Sequence, residues 1–188
     1  MTTAATYESE MFKTKILILG PCKSGKTTIA NYLADATEIT GGDYRPTQGV
    51  RIVEFESNDL ELHGKNIDAE VELWDCSGDR KFEKCWAAIQ KDAHGVILVC
   101  NSGQLKELEQ WYLAFVARKS IKNNRVIVFL HQKPDDVAVE TGADVRLPAS
   151  MTGIQCVPTS IEEDGETLRL EFNNFLCNVI AGLATPEP

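Results

Sequence analysis

Gly20-Pro21-Cys22-Lys23-Ser24-Gly25-Lys26-Thr27 fits the phosphate-binding P-loop pattern G-x-x-x-x-G-K-[ST]. Its flanks fit as well. Lys13-Thr14-Lys15-Ile16-Leu17-Ile18-Leu19 is a short, mostly apolar run that reads as a buried strand, and Thr28-Ile29-Ala30-Asn31-Tyr32-Leu33 reads as a helix. Strand, glycine turn and helix are the order the motif requires. Backbone N–H groups of such a turn surround phosphate oxygens, and the helix N-terminus adds a favourable dipole. The candidate phosphate ligands are therefore Gly20, Cys22, Lys23, Ser24, Gly25, Lys26, Thr27 and Thr28. Lys26 is placed to reach the terminal phosphates and the Thr27 hydroxyl to ligate Mg²⁺.

Outward from this motif the chain alternates strands and helices, which predicts an α/β fold. The expected sheet has six strands, is mostly parallel with one antiparallel strand, and carries helices on both faces. Strands are expected at 13–19, 50–56, 68–74, 95–100, 125–130 and 153–157. Val50 to Glu56 and Asp68 to Trp74 alternate in polarity like half-exposed strands, and Asn58 to Asn66 would join them as a hairpin. Helices are expected at 25–36, 104–119 and 166–183. The last has Leu168, Phe172, Phe175, Leu176, Val179 and Ile180 at helical spacing. A polar loop covers 37–48. Residues 134–152 have little periodicity and read as a long loop or a degenerate helix. Residues 1–11 are polar and expected to be disordered, leaving one domain over 12–183 and a short tail at 184–188.

Composition narrows the function. The 188 residues are 43% hydrophobic and 25% charged, enough for one domain with a full core. A net charge of −9 argues against binding nucleic acid or an anionic membrane surface. Cys22, Cys76, Cys85, Cys100, Cys156 and Cys177 form no C-x-x-C pair and no zinc spacing, so reduced thiols are expected. There is no signal-peptide h-region, no membrane-length apolar stretch and no C-a-a-X box at Ala184 to Pro188, so no direct lipid anchor is expected.

A P-loop alone does not separate GTPases, ATPases and nucleotide kinases. Trp74-Asp75-Cys76-Ser77-Gly78 does more. An Asp at a strand end can hold Mg²⁺ through water, and Gly78 can turn its N–H toward a γ-phosphate. Upstream, Pro46-Thr47-Gln48-Gly49-Val50 offers a threonine that can swing in to complete the Mg²⁺ shell when a third phosphate is present. The expected metal set is Thr27, Thr47 and, via water, Asp75.

These elements resemble a Ras-superfamily small GTPase, with the Rab branch the nearest large group. Pro46-Thr47-Gln48-Gly49-Val50-Arg51, Glu72-Leu73-Trp74-Asp75-Cys76, Lys81-Phe82-Glu83-Lys84-Cys85-Trp86, Lys91-Asp92-Ala93-His94-Gly95-Val96 and Trp111-Tyr112 resemble the Rab-like small GTPases of intraflagellar transport. The resemblance runs from about Lys13 to Leu183. It implies a small-GTPase fold and GTP/GDP with Mg²⁺ as cofactors. It also implies coiled-coil subunits of the anterograde intraflagellar transport complex as partners, a role in cilium or flagellum assembly, and residence in cytoplasm, basal body and cilium.

Departures from the superfamily pattern bear on mechanism. Asp79 stands where a Gln usually orients the attacking water, and a carboxylate facing a γ-phosphate is a poor replacement. Cys22 adds a Cβ and a sulfur at a position that is usually small. Both changes predict very slow or absent hydrolysis, with no confident catalytic residue. Gln132-Lys133-Pro134-Asp135 stands where N-K-x-D selects guanine. Asp135 can accept from both the ring N–H and the amino group of guanine. The Lys133 stem can lie along the purine, and Gln132 replaces the usual bracing Asn. Ser160, in Pro158-Thr159-Ser160, resembles part of the T-S-A-K loop near the guanine O6. Guanine preference with reduced affinity follows. Trp111, Tyr112 and Phe115 read as core, Phe82 and Trp86 as either packing or partner contacts, and His63, His94 and His131 carry no catalytic pattern. Three functions stay open at this point: a nucleotide-dependent interaction module, an active cycling GTPase, and a nucleotide-independent scaffold subunit.

Overall fold

The computed structural model describes residues 9–36, 45–133 and 146–184. Its strands are β1 (Glu10–Leu19), β2 (Val50–Leu62), β3 (Lys65–Cys76), β4 (Gly95–Cys100), β5 (Val126–His131) and β6 (Gln155–Thr159). Its α-helices are α1 (Lys26–Leu33), α2 (Trp86–Gln90), α3 (Leu105–Phe115) and α4 (Ile161–Ala184). The strands form one sheet in the order β2-β3-β1-β4-β5-β6. All neighbouring pairs are parallel except β2 with β3. The expected six-stranded, mostly parallel architecture is therefore the observed one.

The continuous apolar run of β1 is explained by burial on both faces. Ile16 and Ile18 point into a core with Ile29 and Leu33 of α1 and Leu168, Phe172, Leu176 and Ile180 of α4. Leu17 and Leu19 point the other way, into a core with Trp86 and Ile89 of α2 and Leu108, Trp111 and Phe115 of α3. The apolar stripe expected on the closing helix is buried at all six named positions. Trp86, Trp111 and Phe115 form one aromatic cluster, with Trp86 5.0 Å from both other rings. Trp86 is thus a core residue, while Phe82 stays half-buried.

Several boundaries differ from the sequence reading. β1 starts at Glu10, inside the segment 1–11 expected to be disordered, because it extends along β3 with Glu10 beside Ile67. Residues 1–8 lie outside the described residues. The hairpin connection is His63-Gly64 alone rather than 58–66, since Leu62 already pairs with Lys65. Both turn residues have positive φ, 52° and 75°, as a tight type I′ turn demands. A bulge between Ser57 and Leu60, with Asp59 at φ 58°, breaks the polarity alternation that would have marked the longer strands. α4 starts at Ile161, with non-helical backbone at Asp164, and runs through Ala184. Of 134–152, the described part holds a short 3-10 turn at Ala149–Met151; 134–145 and 185–188 lie outside the described residues, as does most of the loop expected at 37–48.

Candidate functional site

The P-loop leaves the carboxyl end of β1, where the strand order reverses. In α/β sheets this is the position where ligands bind. Gly25 takes φ 98° and opens α1, a conformation that suits glycine. Close packing fixes the loop from both sides. A Cβ on Gly20 would lie 2.0 Å from the Val99 carbonyl oxygen, and one on Gly78 would lie 2.4 Å from the Cys22 nitrogen. Lys26 is 6% exposed and curls over the loop, donating to the carbonyls of Gly20 (2.9 Å) and Pro21 (2.6 Å) and to Ser24 Oγ (3.3 Å). Burial pushes its ammonium down to about 8, against the opposing field of Asp75. Cys22, Lys23 and Thr28 are exposed at the rim, and Ser24 is fully buried.

Three oxygens from separate parts of the chain meet beside this loop. Thr27 Oγ1 donates to Asp75 Oδ2 at 2.7 Å. Thr47 Oγ1 lies 3.1 Å from Thr27 Oγ1 and 3.4 Å from Asp75 Oδ2. Asp75 is fully buried, and its Oδ1 has no hydrogen-bond partner. Burial raises the Asp75 pKa, opposed by the Thr27 hydrogen bond, Arg51 and Lys26. Two hydroxyls beside a buried carboxylate with an orphaned oxygen form an all-oxygen set suited to a hard, hydrated cation such as Mg²⁺. Among the described residues no group of three or more His, Cys, Asp or Glu side chains could hold a metal. The loop carrying Thr47 is pinned through Gly49, whose carbonyl accepts from Ser77 N–H at 2.8 Å.

Residues 15–135 match the family model described as Roc, the Ras of Complex domain of DAPkinase. The chain is 44% identical over 183 residues to the intraflagellar transport protein 22 homolog of Danio rerio, covering 94% of this chain and 95% of that protein. The chain belongs to the intraflagellar transport protein 22 family. The GDP-bound crystal structure of T. brucei IFT22 superimposes with a TM-score of 0.67 at 31% identity, covering 90% of this chain and 97% of that one. The GTP-bound T. brucei IFT22/74/81 structure gives a TM-score of 0.66 at 28% identity, covering 90% of this chain and 98% of that one. The fold is therefore that of the Ras-like small GTPases.

Within this intraflagellar transport protein 22 fold, the Asp79 carboxylate, expected to face a γ-phosphate, is engaged by its own turn. Its carboxylate caps the 3-10 turn Arg80–Cys85, accepting from Lys81 N–H at 2.9 Å and pairing with Lys81 Nζ at 3.0 Å. The Lys81 backbone and side-chain hydrogen bonds hold its pKa below the ordinary carboxylate value. Arg80 donates to Gln110 Oε1 at 2.6 Å and so ties the same turn to α3.

The expected base-side residues converge in part. Lys133 Nζ donates to the Lys23 carbonyl, which brings this loop onto the P-loop. Gln132 N–H donates to the Thr159 carbonyl at 2.9 Å, so the two base-side loops lie together. Ser160 Oγ accepts from Glu163 N–H at 3.3 Å, a helix-capping contact at the start of α4. Pro134 and Asp135 lie outside the described residues.

Sequence reasoning missed three neighbours of the site. Arg51 Nε is 3.7 Å from Asp75 Oδ2. Gln104 Nε2 donates to the Cys22 carbonyl at 3.0 Å. His131 is 4% exposed and packs against Gly25, where a Cβ would lie 2.4 Å from its ring. Only Arg51 left a signal, as a cation directly after the Thr47 motif.

Proposed function

We propose that this chain is a guanine-nucleotide-binding, Rab-like subunit of the anterograde intraflagellar transport complex that docks a coiled-coil partner and hydrolyses GTP very slowly or not at all. The convergence of Thr27, Thr47 and Asp75 oxygens beside the P-loop is the observation that carries this reading. Gly20, Cys22, Lys23, Ser24, Gly25, Thr28 and Gly78 would offer backbone N–H groups to phosphate oxygens, and Lys26 would exchange its loop carbonyls for phosphate. When bound, Mg²⁺ would neutralise phosphate charge through Thr27, Thr47 and, via water, Asp75. On the base side, Gln132, Lys133, Asp135 and Ser160 would select guanine.

Thr47 is the switch residue of this reading. It joins the cluster from the loop before β2, so a ligand that holds Thr47 also orders the surface next to Phe82 and the 3-10 turn. Slow hydrolysis is supported by Asp79, whose carboxylate is engaged with Lys81 and offers no neutral amide to orient water. GTP would then act as a held ligand. The partner and the ciliary setting are supported by the family and by the GTP-bound T. brucei IFT22/74/81 structure. Residence in cytoplasm, basal body and cilium belongs to this reading.

A nucleotide-independent scaffold is the second reading, favoured by the Asp79 cap and the Arg80–Gln110 link, which hold the 3-10 turn with protein contacts alone. Binding of a purified coiled-coil partner pair to wild type and to Thr27→Asn separates the two. Loss of at least ~10-fold in affinity by a folded Thr27→Asn protein is expected for the switch, because the variant removes a direct Mg²⁺ ligand. Unchanged affinity would favour the scaffold.

A further inference from the structure

We propose that Arg51 is a resident counter-cation of the Asp75 carboxylate and makes nucleotide retention only weakly dependent on Mg²⁺. This rests on the nucleotide site described above. Arg51 and Asp75 stand directly opposite each other in the β2–β3 ladder. The Nε to Oδ2 distance is 3.7 Å, with the Asp75 side chain fully buried and the Arg51 side chain 33% exposed. The oxygen facing Arg51 is the one that also accepts from Thr27. Arg51 Nη2 donates in turn to Asn31 Oδ1. Asn31 lies on α1 one turn beyond Thr27, on the same side of the helix. The guanidinium thus bridges α1, β2 and β3 where their residues converge on the cation position.

A carboxylate buried beside polyphosphate repels it, and in a site without Arg51 that repulsion would be relieved by Lys26 and Mg²⁺ alone. A guanidinium 3.7 Å away relieves part of it whether or not the metal is bound, because the carboxylate end of the pair is fully buried. The same positive charge repels an incoming Mg²⁺. Both effects lower the coupling between metal and nucleotide. The Asn31 contact also keeps β2, which follows the Thr47 loop, tied to α1 when the metal is removed.

The test uses the full chain loaded with a fluorescent GDP analogue. Release into excess unlabelled GDP is timed in Mg²⁺ and after chelation with EDTA. Wild type is expected to release less than ~10-fold faster on chelation, and Arg51→Gln to show a chelation effect at least ~10-fold larger than wild type. Arg51→Lys, which keeps the charge, should stay within about threefold of wild type, and Asn31→Ala should fall between. Mg²⁺ added back to chelated, loaded protein should bind Arg51→Gln more tightly than wild type. Equal chelation effects in wild type and Arg51→Gln would overturn the proposal. So would a parallel rise of release in both conditions, which marks a loosened structure. If wild type retains no labelled GDP in Mg²⁺, the nucleotide reading itself fails and takes this inference with it.

Discussion

At the residue scale, the site is defined by what will not fit. A Cβ on Gly78 would meet Cys22 N at 2.4 Å and the Pro21 carbonyl carbon at 2.6 Å. Both are backbone atoms that cannot rotate away. Gly78→Ala is therefore expected to push the turn off the P-loop and weaken guanine-nucleotide binding by ~10-fold or more, read by titration on protein whose circular dichroism is unchanged. The thiols provide a second check. Cys76 and Cys100 are buried, and burial pushes each up to about 12. Cys22 and Cys85 are exposed. Alkylation at pH 8 should modify Cys22 and Cys85 quickly and leave Cys76 and Cys100 untouched until unfolding, with bound nucleotide protecting Cys22. Mass mapping of labelled peptides reads this, and rapid labelling of Cys100 would contradict the packing of β4. The motif residues Thr27, Thr47 and Asp75 were legible because fixed spacing around a P-loop admits few geometries. Asp79 was read correctly as a departure but not as a cap, because its choice between phosphate and Lys81 is decided by a turn that has no periodic signal. Arg51 was invisible as a partner of Asp75 because its neighbour across the sheet depends on register, and the bulge at Ser57 hid how far the pairing ran.

At the element scale, periodicity gave the strands and the closing helix, and side-chain bonds gave their ends. α4 was legible from its apolar stripe, but its first turn is polar and is held by Ser160 and Asp164 contacts rather than by packing. Phe172 is 1% exposed and anchors that stripe against the sheet, 5.9 Å from the Phe55 ring. Phe172→Ala should cost about 3–5 kcal/mol, measured by denaturant unfolding of the loaded protein. β1 and the entry to β4 are tied by a reciprocal pair: Lys15 N–H donates to His94 Nδ1 at 2.9 Å and His94 N–H donates to the Lys15 carbonyl at 2.9 Å. Nδ1 can accept only while the imidazole is neutral at that nitrogen, and burial holds the His94 pKa below its ordinary 6.5. A depressed histidine contributes stability that is complete above the unfolded pKa and is lost as pH falls from about 6.5 through the folded value. The melting temperature should therefore drop between pH 7 and pH 5 by more in wild type than in His94→Gln. Parallel curves would remove His94 from the acid response.

At the scale of the whole molecule, the six-stranded sheet places three metal-type oxygens and the phosphate turn at one end, on the carboxyl ends of β1 and β3. Fold class was legible in full because both faces of the sheet are covered and residues 16–19, β4 and β5 are apolar runs between alternating helices. The base-side loop was legible only as a departure from N-K-x-D, since Gln132 and Lys133 make backbone contacts that no motif encodes. The central claim is that this end of the sheet holds a guanine nucleotide without consuming it. Nucleotide content of the purified protein, followed by titration with GTP, GDP and ATP and a single-turnover hydrolysis assay, tests it most directly. Guanine-selective binding with negligible conversion of bound GTP is the expected result; binding of ATP as tight as GTP, rapid turnover, or no binding at all would contradict it.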